Sequence, residues 1–456
     1  MTETVAEILD VYRAGAAKPC EIIKRSYARL RDHNDPAIFI SLRDEAEVVA
    51  EAEALERSSD NALPLYGIPV GVKDNIDVKG LPTTTACPAF SYRPGRDATA
   101  VARLRAAGAL IVGKTNLDQF ATGLVGVRTP YGIPRNLFDE KLIPGGSSSG
   151  SGVVVGAGIV PLSLGTDTAG SGRVPAAYNN IVGLKPTRGL ISCAGVVPAC
   201  RTLDCISVFA LTVDDAMAAL NVIVGADEAD PYSHPRTIRT PELMPGDARI
   251  GVPMPGQRLF FGDRNFEAAY GAALTLLTKL GAKIVEIDIE PFYAAARLLY
   301  EGPWVAERYL VTKALIASAP EAIHPVTQQI ILAGAHGMAA DAFEAFYQLE
   351  VLKRVRDHVF RSIDALVLPT VPTIYTVEQV LADPIHLNSR LGTYTNFVNL
   401  LDLCGLAVPA SIGSDGRPFG ITFLAPAGED AVLAAMGAEF HRATALPLGA
   451  EKRIVT

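Results

Sequence analysis

Two glycine- and serine-rich stretches, Pro144-Gly145-Gly146-Ser147-Ser148-Ser149-Gly150-Ser151-Gly152 and Gly165-Thr166-Asp167-Thr168-Ala169-Gly170-Ser171-Gly172-Arg173, flank one apolar run from Val153 to Leu164. Glycine lets a backbone turn sharply and come close to a ligand. A serine at such a turn is a candidate nucleophile or proton carrier. Ser147 and Ser171 stand 24 residues apart, room for a short helix and a buried strand that return the chain to one place. Upstream, Ile68-Pro69-Val70-Gly71-Val72-Lys73-Asp74-Asn75 reads as a buried apolar strand that ends in a lysine. A free lysine has a pKa of roughly 10.4, so only about one in 2,500 is neutral at pH 7. Burial penalises the charged amine and lowers that value by about 2–3 units, which makes lysine a usable general base.

Acyl transfer needs a nucleophile, a base and a place for the developing oxyanion. None of the seven histidines lies in the glycine-rich stretches, so the base is expected to be Lys73. Ser171 is the expected nucleophile. The small residues Thr168, Ala169 and Gly170 precede it, and their backbone N–H groups, with that of Ser171, could converge on an oxyanion. Such a donor is worth about 2.7–4 kcal/mol. Ser147, at the Gly-Gly turn, would carry the proton from Ser171 to Lys73. Ser148, Ser149 and Ser151 read as turn or helix-capping hydroxyls.

This Lys…Ser…Ser order resembles the amidase signature family over roughly residues 60–220. The resemblance implies that Lys73 is the base, that Ser147 is a cis-peptide serine relaying protons, and that Ser171 is acylated. It also implies an α/β fold with a mixed, largely parallel central sheet between helices, and no metal or cofactor. Within the family, five segments are similar to allophanate hydrolases: Asn116–Gly123, Gly165–Ala176, Gly195–Cys205, Tyr300–Arg308 and Leu391–Leu400. The substrate implied is allophanate, a small urea bearing one carboxylate. Tyr300 and Arg308 would hold that carboxylate through the planar fork of the guanidinium, and backbone groups at Thr122 and Gly123 would complete the pocket. From the residues alone, an ion pair between Arg308 and a nearby glutamate is an equal alternative. Arg173 reads as structural.

Ser171 would attack the terminal amide, ammonia would leave, and water would release N-carboxycarbamate. The similar enzymes carry a second, smaller C-terminal domain linked to decarboxylation. This sequence ends at Thr456, so it is expected to be either a shortened piece or a form without that domain. The competing readings are a general small-amide amidase and the glutamine-hydrolysing subunit of a tRNA-dependent amidotransferase. The resemblance also implies a homodimer, coupled in function to urea carboxylase or to cyanurate- and biuret-degrading enzymes.

The elements that must position these groups follow from pattern. Of the 456 residues, 49% are hydrophobic and 20% charged, ample for a large core. Net charge is −8 with no basic run, which weighs against nucleic acid or an anionic membrane as partner. Six cysteines without a CxxC or zinc spacing read as free thiols of a reducing compartment. With no basic, apolar leader at the N-terminus, the expected location is the cytoplasm. Helical periodicity predicts helices over 4–16, 19–33 and 45–57, an N-terminal layer spanning residues 1–60 packed on a catalytic unit over 61–456. Helices are also expected at 98–107, 213–224, 265–280, 291–299, 305–317, 341–360 and 430–442. Strands are expected at 109–113, 249–252, 283–287, 365–369, 406–410 and 420–424. On the long helix, Phe343, Phe346, Leu349, Leu352, Val355 and Val359 fall on or near one side. In such αβ alternation, sites collect at the carboxyl ends of strands, where Lys73, Asn116, Asp118 and both serine loops would lie.

Overall fold

The computed structural model describes residues 3–58, 62–235 and 248–450. Its apolar runs become eleven strands: β1 (Phe39–Leu42), β2 (Pro69–Lys73), β3 (Leu110–Thr115), β4 (Leu162–Asp167), β5 (Val182–Lys185), β6 (Cys205–Ala210), β7 (Arg249–Pro253), β8 (Lys283–Ile287), β9 (Ala365–Pro369), β10 (Leu403–Ile412) and β11 (Pro418–Pro426). They form one sheet in the order β1-β3-β2-β4-β6-β5-β10-β11-β9-β7-β8. Strands β2, β3 and β4 are buried along their whole length, as strands covered on both faces must be.

The expected mixed sheet between helices is present, but its parallel share is smaller than expected. Strands β3, β2 and β4 run parallel at one flank, and β9, β7 and β8 at the other. The remaining six of the ten pairings are antiparallel. Parallel neighbours require a crossover. The helix Thr99–Ala106 leads from β2 towards β3, and the helix Ser149–Gly156 precedes β4. The middle of the sheet is built instead from the short strands β5 and β6 and from the β10–β11 hairpin. Neither β5 nor β6 was read from the sequence; a glycine and a lysine in β5 and a serine in β6 interrupt their apolar runs.

The helices Val5–Arg13, Pro19–His33 and Glu45–Arg57 form close to where periodicity placed them. Between the last two lies β1, which the sequence did not announce, and it pairs antiparallel with β3. The N-terminal layer thus adds a strand to the sheet. The boundary expected between residues 60 and 61 falls on 59–61, outside the described residues. The helices Pro325–Ala333, His386–Leu391 and Phe397–Leu400 were also unforeseen. On the long helix Ala339–Val359 the supposed apolar side divides: Leu349 is buried, but Phe343 and Phe346 are 61% and 47% exposed. All six cysteines are free. Among the described residues no helix is long and apolar enough to cross a membrane.

Gly113 of β3 tests how the N-terminal layer docks. A Cβ there would lie 2.5 Å from the Ser41 carbonyl oxygen of β1. Gly113→Ala is expected to cost about 1–3 kcal/mol, the usual effect of overpacking, seen as a lower urea midpoint. An unchanged midpoint would show that β1 is not held against β3.

Candidate active site

Lys73 is the last residue of β2, and its side chain is fully buried. Its Nζ donates to Ser147 Oγ at 2.7 Å and to Thr166 Oγ1 at 2.8 Å. Parallel pairing of β2 with β4 brings their carboxyl ends together, which sets Thr166 beside Lys73. Burial pushes the amine down to about 7, while Asp118, Asp204 and Asp167 pull the other way. Among the described residues, no carboxylate oxygen lies within 4.0 Å of Lys73 Nζ. Near neutral pH this amine can therefore give up its proton, and it sits in contact with a hydroxyl.

Ser147 is placed by the Gly-Gly turn and by Asp118. The Gly146–Ser147 peptide is cis, and the Ser147 carbonyl accepts the Asp118 N–H at 3.0 Å. The Asp118 carboxylate accepts the N–H groups of Val125, Gly126 and Arg128 at 3.2, 2.9 and 3.0 Å. A Cβ on Gly146 would lie 2.0 Å from Asp118 Oδ2, so only glycine fits before Ser147. Gly146–Gly150 also spells the G-x-S-x-G of a nucleophile elbow. The serine at its centre, Ser148, donates to the Thr166 carbonyl at 3.2 Å instead. Among the described residues no histidine bonds Lys73, Ser147 or Ser171.

Ser171 lies in the loop that leaves β4. The Asp167 carboxylate shapes that loop by accepting the Gly170 and Gly172 N–H groups at 2.8 and 3.1 Å and the Arg173 Nε at 2.8 Å. Burial raises the Asp167 carboxyl, but Arg173, with Lys185 and the Gly170 N–H, holds it below its usual value, and the Arg173 guanidinium is committed to this ion pair. The N–H of Gly170, expected to face an oxyanion, is taken by Asp167. Those of Thr168, Ala169 and Ser171 have no acceptor among the described residues. Ser171 is 3% exposed, and its Oγ makes no hydrogen bond there. The Lys73–Ser147 half of the expected proton path is formed, and the Ser147–Ser171 half is not.

Four groups at this centre escaped the sequence reading. Thr166 is the second partner of Lys73. Asn75 Nδ2 reaches the Thr166 hydroxyl at 3.4 Å. Asp204 accepts the Thr168 hydroxyl and the N–H groups of Ala199 and Cys200. Burial pushes its carboxyl up to about 6 against those donors. Asn399 Nδ2 donates to the carbonyls of Asp167 and Thr168 at 2.7 and 3.0 Å. Asp204 and Asn399 lie inside segments singled out for resemblance, but nothing local distinguishes them from ordinary polar residues.

Arg308 is 2% exposed. Its Nη1 donates to the Ala121 carbonyl at 3.1 Å and to Thr122 Oγ1 at 3.0 Å, and its Nη2 to the Tyr300 hydroxyl at 3.4 Å. Its guanidinium carbon stands 5.5 Å from the centre of the Tyr300 ring. The neighbouring Glu307 turns to the backbone and hydroxyl of Thr202. Arg308 has no carboxylate within 4.0 Å among the described residues, which removes the alternative of a glutamate ion pair. Gly123 is the one N–H between residues 121 and 126 without an acceptor there. Tyr300, Arg308 and the Thr122 hydroxyl lie together, but the Thr122 backbone, expected to serve the pocket, is occupied: its N–H donates to the Gln119 carbonyl and its carbonyl accepts from Arg128. A second buried guanidinium, Arg128, binds the Thr122 carbonyl at 2.8 Å. Among the described residues no group of three His, Cys, Asp or Glu is placed to hold a metal ion.

The family model for amidases matches residues 21–433. Urea amidolyase of Lachancea kluyveri is 48% identical over 419 residues, which cover 91% of this chain and 23% of that protein. The A-type subunit of glutamyl-tRNA(Gln) amidotransferase from Chloroflexus aggregans is 34% identical over 478 residues, covering 97% of this chain and 96% of that protein. Among solved structures, Kluyveromyces lactis allophanate hydrolase matches with a TM-score of 0.92 at 44% identity, covering 100% of this chain and 76% of that one. The chain spans only 21–23% of the length of the urea amidolyases it matches.

The Lys73 amine can be followed directly. Nitrogen NMR of labelled lysine is expected to show the Lys73 amine titrating near pH 7, while burial also lowers that of Lys114. An unfolded chain keeps this proton up to about 10.5. Between about 7 and 10.5 the unfolded state therefore binds one more proton, and this group's contribution to stability rises with pH. A Lys73 signal that titrates only above pH 10 would contradict the burial described.

Proposed function

This chain belongs to the amidase family of amidohydrolases, and we propose that the amide it cleaves is the terminal amide of allophanate. The observation that carries this reading is the buried Arg308 guanidinium beside Tyr300. A guanidinium cannot shed its proton, and a buried charge without a partner is costly. A small anionic substrate supplies the missing partner. The similarity to Kluyveromyces lactis allophanate hydrolase over the whole chain supports the same substrate.

In this reading Lys73, neutral, takes the proton of Ser171 by way of Ser147. Ser171 Oγ bonds the amide carbon, and the N–H groups of Thr168, Ala169 and Ser171 meet the oxyanion. The proton returns to the leaving nitrogen and ammonia departs. Water then attacks the acyl-enzyme with Lys73 again as base, and N-carboxycarbamate leaves. Tyr300, Arg308 and the Gly123 N–H hold the substrate carboxylate throughout. Asp204 and Asp118 hold the two serine loops in place.

A second reading, the glutamine-hydrolysing subunit of an amidotransferase, draws on the full-length match to those subunits. The lower identity of that match favours allophanate. We place the enzyme in the cytoplasm, in keeping with six free cysteines, and beside a urea-carboxylating or a biuret- or cyanurate-degrading activity that supplies its substrate. We also propose a homodimer. Exposed Phe343, Tyr347 and Val351, at 61%, 70% and 63%, stand at helical spacing on one exposed face.

Ammonia release across allophanate, biuret, malonamate and glutamine, with Ser171→Ala as blank, tests the substrate. Allophanate is expected to turn over fastest, and kcat/KM to rise as pH passes about 7, where Lys73 loses its proton. Arg308→Ala is expected to raise KM for allophanate about 10- to 100-fold, the worth of hydrogen bonds to a charged group. An unchanged KM removes Arg308 from the anion site, and preferred turnover of glutamine favours the second reading. Sedimentation velocity checks the dimer: a species of single-chain mass at micromolar concentration excludes it.

A further inference from the structure

Asn399 lies in the short helix Phe397–Leu400, far in sequence from both serines. It is 1% exposed. One atom, Nδ2, donates to two successive backbone carbonyls, Asp167 at 2.7 Å and Thr168 at 3.0 Å. A trans peptide is planar, with its C=O and the following N–H pointing in opposite directions. The only cis peptide among the described residues is Gly146–Ser147. A hand on the Asp167 carbonyl therefore aims the Thr168 N–H, and a hand on the Thr168 carbonyl aims the Ala169 N–H. Both N–H groups leave on the side away from Asn399, and neither has an acceptor among the described residues. Successive N–H groups on one side of a chain make an anion-binding concavity.

The cost of this arrangement is visible. The Oδ1 of Asn399 is buried without a hydrogen-bond partner among the described residues. An unpaired buried acceptor is destabilising, and an apolar residue of similar shape would avoid that. The NH2 end of the amide is the end in use. A second hold acts on the same residue from the side chain, where the Thr168 hydroxyl donates to Asp204. With Asp167 occupying the Gly170 N–H, the free donors left beside Ser171 are those that Asn399 and Asp204 set.

We propose that Asn399 is the positioning residue of the oxyanion site, setting the Thr168 and Ala169 N–H groups through their carbonyls without touching substrate. The proposal rests on the reading of Ser171 as nucleophile. It predicts that Asn399 acts on the tetrahedral state and leaves ground-state binding of the carboxylate alone, because the Arg308–Tyr300 subsite is built from other elements.

The test uses the full chain, with Asn399→Ala and the near-isosteric Asn399→Asp. Boronoacetic acid is the probe of the tetrahedral state. Its boron accepts Ser171 Oγ to form one O–B bond, the hydroxyl proton passes to Lys73, nothing leaves, and the boron becomes a tetrahedral anion with an oxygen at the donors. Malonate is the probe of carboxylate binding. Both variants are expected to lose about 10²–10³-fold in kcat, the range for a lost oxyanion donor, with KM for allophanate within threefold. Boronoacetic acid should bind weaker by a similar factor and malonate within threefold. Retention of kcat and of boronate affinity by either folded variant overturns the proposal. So does a parallel loss of boronate and malonate affinity, which is what a merely structural role would produce. If Asn399→Ala does not fold, Asn399→Asp decides alone. Failure of the underlying reading looks different: the unaltered chain would then neither release ammonia nor bind boronoacetic acid, and Ser171→Ala would change neither.

Discussion

A lysine amine in contact with a carboxylate keeps its proton, because the opposite charge favours the charged form. Lys73 meets two hydroxyls instead, and the centre depends on that choice of partner. Three carboxylates act on the amine from a distance, and each would protonate it if it came closer. Each is held elsewhere. Asp118 faces three backbone N–H groups, Asp167 faces Arg173, and Asp204 faces Thr168 and two N–H groups. The bonds that keep these acids away from Lys73 are the same bonds that shape the loops around Ser147 and Ser171. Basicity and loop geometry therefore have one cause.

The neighbouring strand makes the contrast plain. Lys114 of β3 is as buried as Lys73, yet its Nζ lies 3.1 Å from Asp74 Oδ1. Asp74 also accepts the Thr84 hydroxyl and N–H, so this pair braces the loop after β2. Two buried lysines on adjacent strands thus receive opposite treatment, one paired and one not. Arg308 extends the logic to a group that cannot shed its proton. Left without a carboxylate, it can only remain charged, and its surroundings are a carbonyl, two hydroxyls and an aromatic face.

Much of this was legible along the chain. The strand ending in Lys73, the Gly-Gly before Ser147, and the crossover helix Ser149–Gly156 with β4 are all local patterns, whereas the pairing of Tyr300 with Arg308 came from resemblance alone and joins two separate helices, Glu290–Glu301 and Val305–Ser318. Each local pattern places its residue through neighbours a few positions away. Helix bounds held within a few residues wherever apolar spacing was regular. The reading went astray where local pattern is silent. Strands β1, β5 and β6 gain their identity from partners in other segments. Phe343 and Phe346 share a side with Leu349 by spacing, but what covers a helix is decided by its neighbours, and they stand exposed.

The order of lysine, serine and serine, the family and the candidate chemistry were set by the sequence alone, because a nucleophile, its base and its turn need particular residue types at short spacings. Only the tertiary structure decided that Thr166 shares Lys73 with Ser147 and that Asp204 and Asn399 hold the loop before Ser171. Those contacts join residues 36 to 232 positions apart for Thr168–Asp204 and Asp167–Asn399. A hydrogen bond depends on distance and angle between two atoms, and for such pairs neither exists until the sheet has brought their segments together.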